Sequence, residues 1–449
     1  MATPDLLQDT IRPTLLRMTI PMMVGIVSLM LFNLADIYFV SLLGTAPMAA
    51  LAFTFPVTFS VVSLAIGFGI GISAIMARLI GQGREGEAAE LATDNLMMTL
   101  ILVLCVSLVA HLLMVPLFTL MGATQEQLPY ILTYMDIWWF GAVFLVTNMV
   151  ANSALRARGD TKTPALVMAG SSILNMLLDP LLIFGWGPVP AMGIKGAAMA
   201  SVISWACVSV IVSYVLYRRY QLIIIMKPVA SRIFGHWLTV MKIGLPAALS
   251  NMMTPLAGGI LTAMVARHGA EAVAAFGVGN RLESLSLLVC LALSMTLPPF
   301  ISQNFGAGQI QRVIAAYQGA IKFALIWQLL VFIMLWSFRD SIADLFAASE
   351  LIKTPLLMWL SIVPLGFGMQ AVIFLSASTF NALHQPLRAM RISILRLFVF
   401  FIPMAWVANQ VWGLQAMFVA FVLANTAASW VAYRSVSKLL VTKSAATPG

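Results

Sequence analysis

Residues 163–185 read TPALVMAGSSILNMLLDPLLIFG. Apart from Asp179 the stretch carries no charge, and as a helix it is long enough to cross about 30 Å of hydrocarbon. A charge inside such a segment costs at least about 2.5 kcal/mol, so it usually faces a cavity or a partner and marks function. Asn175 and Asp179 are four residues apart, which puts them on one helix face. Pro180 has no N–H, so the Met176 carbonyl loses its helical partner beside the acid and a bend is favoured. A polar, bendable, titratable patch in hydrocarbon suits a pump driven by an ion gradient.

The rest of the chain has the same character. Of 449 residues, 61% are hydrophobic and 9% charged, with mean hydropathy +0.97, whereas soluble proteins carry about 25% charged residues. An all-α polytopic membrane protein is expected, because a helix satisfies its own backbone in lipid. Twelve spans can be drawn, at about 14–42, 50–79, 91–120, 128–155, 163–184, 193–218, 234–266, 272–304, 312–338, 354–381, 386–408 and 413–436.

The net charge of +9 would suggest nucleic acid in a soluble protein. Here its distribution gives another reason. With twelve spans, eighteen of the 25 Lys and Arg residues fall on one side, from Arg12 to Lys443. Only Lys195, Arg267, Arg339 and Lys353 fall on the other. The rich side is expected to be cytoplasmic, with both termini there. The residues before the first span include Asp5, Asp9, Arg12 and Arg17 and show no signal-peptide pattern. Cys105, Cys207 and Cys290 lie in apolar runs and read as packing residues. His111 and His268 lack partners at metal-ligand spacing. Gly67-Phe68-Gly69-Ile70-Gly71 is followed by no Lys-Ser/Thr, so it reads as close helix packing, not a phosphate loop. No cofactor, resident metal or nucleotide is implied.

The chain repeats itself. Pro21, Gly44, Gly81 and Gly83 recur 225 residues later as Pro246, Gly269, Gly306 and Gly308. Pro164 then answers Pro386 and Gly193 answers Gly413 with a small slip. Six spans are followed by six more in the same orientation, an arrangement common in transporters. The expected division is 1–216, a basic cytoplasmic linker at 217–235, and 236–449.

Together with Asn33-Leu34-Ala35-Asp36, the Gly81-Gln82-Gly83 turn, the run Ala154-Leu155-Arg156-Ala157-Arg158-Gly159-Asp160-Thr161-Lys162-Thr163-Pro164 and the Asn175/Asp179-Pro180 pattern, these features resemble the multidrug and toxic compound extrusion (MATE) family over nearly the whole chain. Asp36 and Asp179-Pro180 look like its DinF-like branch. The paired second-half acids of the NorM-like branch do not occur at the matching places. The resemblance implies two pseudo-twofold-related six-helix bundles around a central cleft. It also implies a bacterial cytoplasmic-membrane pump exporting small cationic or amphiphilic drugs against inward H⁺, with Na⁺ as the alternative ion. The expected protein acts as a monomer in the lipid bilayer.

Depth tests the site physically. Asp36 lies about 9 Å below the outer end of span one and Asp179 about 8 Å below that of span five. Two acids at one depth in a poorly hydrated site resist ionising together. Such a pair can take a proton outside and release it inside. Na⁺ held by Asp36, Asp179 and carbonyls near Pro180 is the metal alternative. Asn33 and Asn175 each stand one turn before an acid. In the expected cycle, protonation neutralises the site, span one bends near Pro21, span five near Pro180, and the drug is released. The plain alternative is that both acids only lock spans one and five together.

Tyr134 resembles a family position in the first-half cavity, and Asn152 matches a family asparagine that could equally join helices. Asp136 is a third acid at similar depth, or an interfacial residue beside Trp138 and Trp139. Ser201 could join the network or simply pack. In the second half Arg281, Glu283, Lys322 and Arg396 come out near mid-membrane. Glu283 is expected to pair with Arg396 or Arg281, structurally or as a charge bias that tunes substrate choice. A lipid-linked oligosaccharide flippase is the rival reading, opposed by the lack of a mid-span arginine in the first half.

Overall fold

The computed structural model describes residues 4–224, 229–347 and 349–445. Its twelve long apolar helices are α1 Ile11–Ser41, α2 Thr45–Gly81, α3 Glu85–Leu120, α4 Leu128–Ala157, α5 Lys162–Phe184, α6 Ile194–Arg218, α7 Ala230–His268, α8 Leu288–Gly306, α9 Ile310–Ser337, α10 Glu350–Ala382, α11 Pro386–Trp412 and α12 Leu414–Ala445. Among the described residues the only β feature is an isolated bridge between Trp186 and Val189. Each expected span is present. Of the linker expected at 217–235, residues 225–228, and with them Lys227, lie outside the described residues.

Three spans are less regular than a hydropathy run implies. The run 272–304 folds as a helix Ala270–Ser286 that passes through Leu287 into α8. Hydrogen bonding continues across the junction, from Leu287 N–H to the Glu283 carbonyl (2.9 Å) and from Leu291 N–H to the Leu287 carbonyl (2.8 Å). α10 tightens into a 3₁₀ turn at Val363–Gly366, where Pro364 has no N–H to give. α11 widens into a π-helix at Leu395–Phe401. A short helix, Arg339–Phe346, precedes α10.

The internal repeat is visible in the backbone. Gly44 (φ 110°) answers Gly269 (102°), and Gly83 (74°) answers Gly308 (75°). Gly159 (84°) answers His384 (58°) at the same 225-residue offset. Asp160 N–H bonds to the Leu155 carbonyl and Gln385 N–H to that of Phe380, again 225 residues on.

The chain forms two compact units. One takes Ile20–Ala248, the other Asp5–Thr19 with Leu249 onward. The opening turns of α1 and of α7 therefore each pack in the unit that holds the other half's helices, so these bounds differ from a division at 1–216 and 236–449.

In the first unit α4 lies at the core, with Ile131, Met135, Trp138, Ala142 and Val146 buried. Trp138 and Trp139 are 3% and 4% exposed and meet edge to face, with Trp205 against Trp138. They are core residues and not a belt at the membrane surface. α2 approaches α7 along Gly67 and Gly71. A Cβ on Gly67 would lie 2.3 Å from the Gly244 carbonyl oxygen, and one on Gly71 2.7 Å from that of Val240. Only glycine permits this approach.

In the second unit Leu6, Leu15 and Met18 pack with Leu297, Phe300 and Tyr317. Asn304 Nδ2 donates to the Leu6 carbonyl at 2.9 Å, and Arg312 donates to the carbonyls of Leu6 (3.2 Å) and Asp9 (2.7 Å).

The turn entering α5 is built on Asp160. Its carboxylate accepts from the N–H groups of Lys162 and Thr163, both at 3.0 Å, and from the hydroxyls of Thr163 and Tyr220, both at 2.5 Å. This is an N-cap made one residue early, as Asp readily does. Burial and the Asp160 bond hold the Tyr220 hydroxyl above the usual phenol range. Asp160→Ala is expected to cost about 2 kcal/mol, having left two helix N–H groups unpaired, and Tyr220→Phe about 1 kcal/mol. Thermal midpoints in detergent check the order; equal midpoints would contradict it.

Candidate functional site

Within the first unit α1 lies along α5. Gly25 brings it close, its Cβ position being 3.2 Å from Ala165 Cα and from Met168 Sδ. Near the far end Phe39 meets Phe184 edge to face at 6.4 Å. Asp36 and Asp179 thus stand three and five residues before this contact, on the same level, and the two carboxylates interact electrostatically. Tyr134 on α4 is 6% exposed and interacts with both.

Asp179 is wholly buried. In the amide orientation that satisfies every neighbour, Asn175 Nδ2 donates to Asp179 Oδ2 at 2.9 Å. Its Oδ1 then accepts from the Ser201 N–H at 3.1 Å and the Ser201 hydroxyl at 3.2 Å. Asn175 is itself 1% exposed and Ser201 3%. The chain Ser201–Asn175–Asp179 thus fixes one carboxylate oxygen. The other, Oδ1, meets no donor among the described residues, and neither does Asp36 Oδ1. No basic side chain pairs with either acid among those residues.

Other expected members lie elsewhere. Asn33 is exposed and donates back to the Leu29 carbonyl at 2.8 Å. A helical amide can satisfy itself on its own preceding turn, so Asn33 is no counterpart of Asn175. Asp136 is half-exposed and pairs with His111 Nδ1 at 3.1 Å, away from the acid pair. His111 therefore does have a carboxylate partner, on the neighbouring helix, where no sequence spacing reports it. Asn152 is 7% exposed and leaves Oδ1 unpaired. It stands eighteen residues along α4 from Tyr134, about 27 Å, at the other end of the unit. Pro21 and Pro180 both sit inside helices that continue through them.

In the second unit Glu283 accepts from Gln370 Nε2 at 2.9 Å, and Arg396 Nε donates to Asn425 Oδ1 at 3.0 Å. Glu283 and Arg396 interact electrostatically but form no ion pair within 4.0 Å, and Arg281 is exposed. The direct pair expected from sequence is replaced by two amide-held charges. Gln370 and Asn425 were not anticipated; their only signal is an amide inside an apolar span.

Sequence reading also missed Asp94. This buried acid, one turn into the apolar part of α3, is met by Arg232 Nε at 3.0 Å and His236 Nδ1 at 2.8 Å. It fastens the start of α7 within the first unit.

The unpaired acids on long apolar helices agree with what similar proteins are. The MatE family model matches residues 21–181 and 246–407, two segments that begin 225 residues apart, as the repeat does. The chain is 39% identical over 420 residues to the FAD transporter of Shewanella oneidensis, covering 94% of this chain and 93% of that one. It is 24% identical to the multidrug export protein MepA of Staphylococcus saprophyticus, covering 96% and 95%. Among solved structures it is similar to the Vibrio cholerae MATE transporter VcmN in the bent form, with TM-score 0.91 and 32% identity over 96% of this chain and 97% of that one. This chain is a multi-pass membrane protein of the MATE family of transporters.

Proposed function

We propose that the chain exports small organic compounds from a bacterial cytoplasm in exchange for protons entering through Asp36 and Asp179. The observation that carries this is a fully buried carboxylate, Asp179, with one oxygen fixed by Asn175 and the other left without a donor. A buried charge is kept only with a partner, since its desolvation costs several kcal/mol. With no Lys or Arg at hand, the natural partner is one that comes and goes: a proton, a sodium ion or a cationic drug.

The cycle follows. Facing outward, the acids take up a proton, the charge disappears, and cationic cargo loses its attraction. Tyr134, touching both acids electrostatically, and Ser201, through Asn175, carry the change to α4 and α6. Facing inward, the proton leaves and the restored charge draws in cargo. Proton and cargo compete, and antiport results.

The test uses inside-out vesicles and ethidium. Accumulation driven by an imposed pH gradient without sodium is expected. Accumulation that ignores the pH gradient and follows sodium would transfer the coupling to Na⁺ at the same acids. Accumulation under neither gradient would overturn the export reading.

The relatives' names divide the cargo between drugs and FAD. The 39% identity to the FAD transporter over 94% of this chain favours a second cargo class, aromatic compounds carrying phosphate.

A further inference from the structure

We propose that Arg396 in the second unit is a substrate-recognition residue that takes the phosphate or carboxylate of an aromatic cargo. The inference rests on the export reading above and deepens it.

Arg396 is 8% exposed and stands ten residues into α11, about 15 Å from its end. Its Nε is spent on Asn425 at 3.0 Å. The rings of Phe374 and Phe401 flank the guanidinium at 5.5 and 5.9 Å from their centres. One bond and two rings fix the plane of the group. The two terminal amino groups, the fork that binds carboxylate or phosphate in pairs, donate to no described residue. A rigid fork with unspent donors is built for an oxyanion.

Its counter-charge is arranged to leave the fork free. Glu283 is held by Gln370 at 2.9 Å, near enough to interact with Arg396 electrostatically and yet not bonded to it. It lowers the cost of burying the cation without occupying its donors. Arg396 is the second residue of the π-helical segment Leu395–Phe401. Such widened turns are frequent at functional sites. At membrane depth the first unit holds Asp36 and Asp179, while the second holds the cations Arg281, Lys322 and Arg396 together with the acid Glu283.

The test is binding to the purified chain in detergent, read by flavin fluorescence, with three probes that share one ring system: riboflavin, FMN and FAD. Wild type is expected to bind FMN and FAD at least about tenfold tighter than riboflavin. Arg396→Gln is expected to erase that preference, leaving riboflavin binding and ethidium export within about twofold of wild type. Arg396→Lys, a point charge without the fork, should keep only part of it. Asn425→Ala, which loosens the guanidinium without removing it, should reduce it, so the idea is testable even if Arg396→Gln does not fold. A wild type with no preference for phosphate would overturn the proposal, as would a preference that survives Arg396→Gln. An equal loss of riboflavin, FMN and ethidium handling in the variants would overturn it too, since that marks a structural residue. Failure of wild type to export ethidium strikes the export reading instead, and the flavin series reads the anion site independently of it.

Discussion

Asp179→Asn is expected to lower ethidium export at least about a hundredfold while leaving the folded protein as stable as before, or more so. The two effects are opposed for a physical reason. Asparagine keeps the shape of the carboxyl group and still offers an oxygen to Asn175 Nδ2, which reaches Asp179 Oδ2 at 2.9 Å. It also removes an unpaired buried charge, a change that is commonly neutral or stabilising. What it cannot do is gain and lose a proton, or attract a cation. If the acids only lock α1 to α5, the amide would do the same work and export would survive. Ethidium efflux from cells expressing the variant, beside its thermal midpoint in detergent, separates the two. Normal efflux with an unchanged midpoint would end the coupling model. Asp36→Asn should behave alike, because the two carboxylates stand on one level and feel each other.

The depth of these acids was legible in the sequence because rise per residue is fixed in a helix. Two spans running the same way from the same surface must put residues at equal depth side by side, if the spans are neighbours. Neighbourhood is what one sequence does not supply. Asn33 and Asn175 look equivalent on paper, each one turn before an acid. Asn175 turns toward α6 and finds Ser201, whereas Asn33 faces away and bonds its own turn. The same gap hid the pairing of Asp136 with His111 and of Asp94 with Arg232 and His236. In each case residues from different helices meet, and no spacing along one helix reports them. Composition misled once. Aromatic residues beside an acid near a span end suggest the membrane surface, but Trp138 and Trp139 are covered within the core beside Trp205 on α6. The irregular turns at Leu287, Val363–Gly366 and Leu395–Phe401 were illegible for another reason. Hydropathy averages over a whole span, and a single extra or missing residue in a turn leaves the average unchanged. The second-half charges were the exception. Their position mid-span was plain, and only their partners, the amides Gln370 and Asn425, had to come from the fold.

Gly67→Val is expected to be strongly destabilising, by about 3 kcal/mol or more. A Cβ at Gly67 would sit 2.3 Å from the Gly244 carbonyl oxygen, 2.6 Å from Ala248 Cβ and 2.8 Å from Ala248 N. Two of those atoms are backbone and cannot swing aside as a long side chain would. Gly244 returns the constraint, its own Cβ position being 3.0 Å from the Gly67 oxygen. The only relief is to push α7 away from α2, and that also parts Gly71 from Val240, where the matching distance is 2.7 Å. The loss is therefore shared by a whole turn of packing, and membrane helices have little hydrophobic drive to restore it, since lipid tails are as apolar as the partner helix. Gly67→Ala should fall between, because one methyl group already overlaps the carbonyl. Gly170→Ala and Gly258→Ala serve as controls: a Cβ there meets nothing within 4 Å, and replacing a helical glycine by alanine gains up to about 1 kcal/mol in propensity. Thermal midpoints of the four purified variants in detergent give the order. Gly67→Val matching Gly258→Ala would mean that α2 and α7 are not closely packed along this seam. The expected order, with Gly67→Val lowest, would mean that the glycines of Gly-Phe-Gly-Ile-Gly leave room for a neighbouring backbone and serve packing, not phosphate binding.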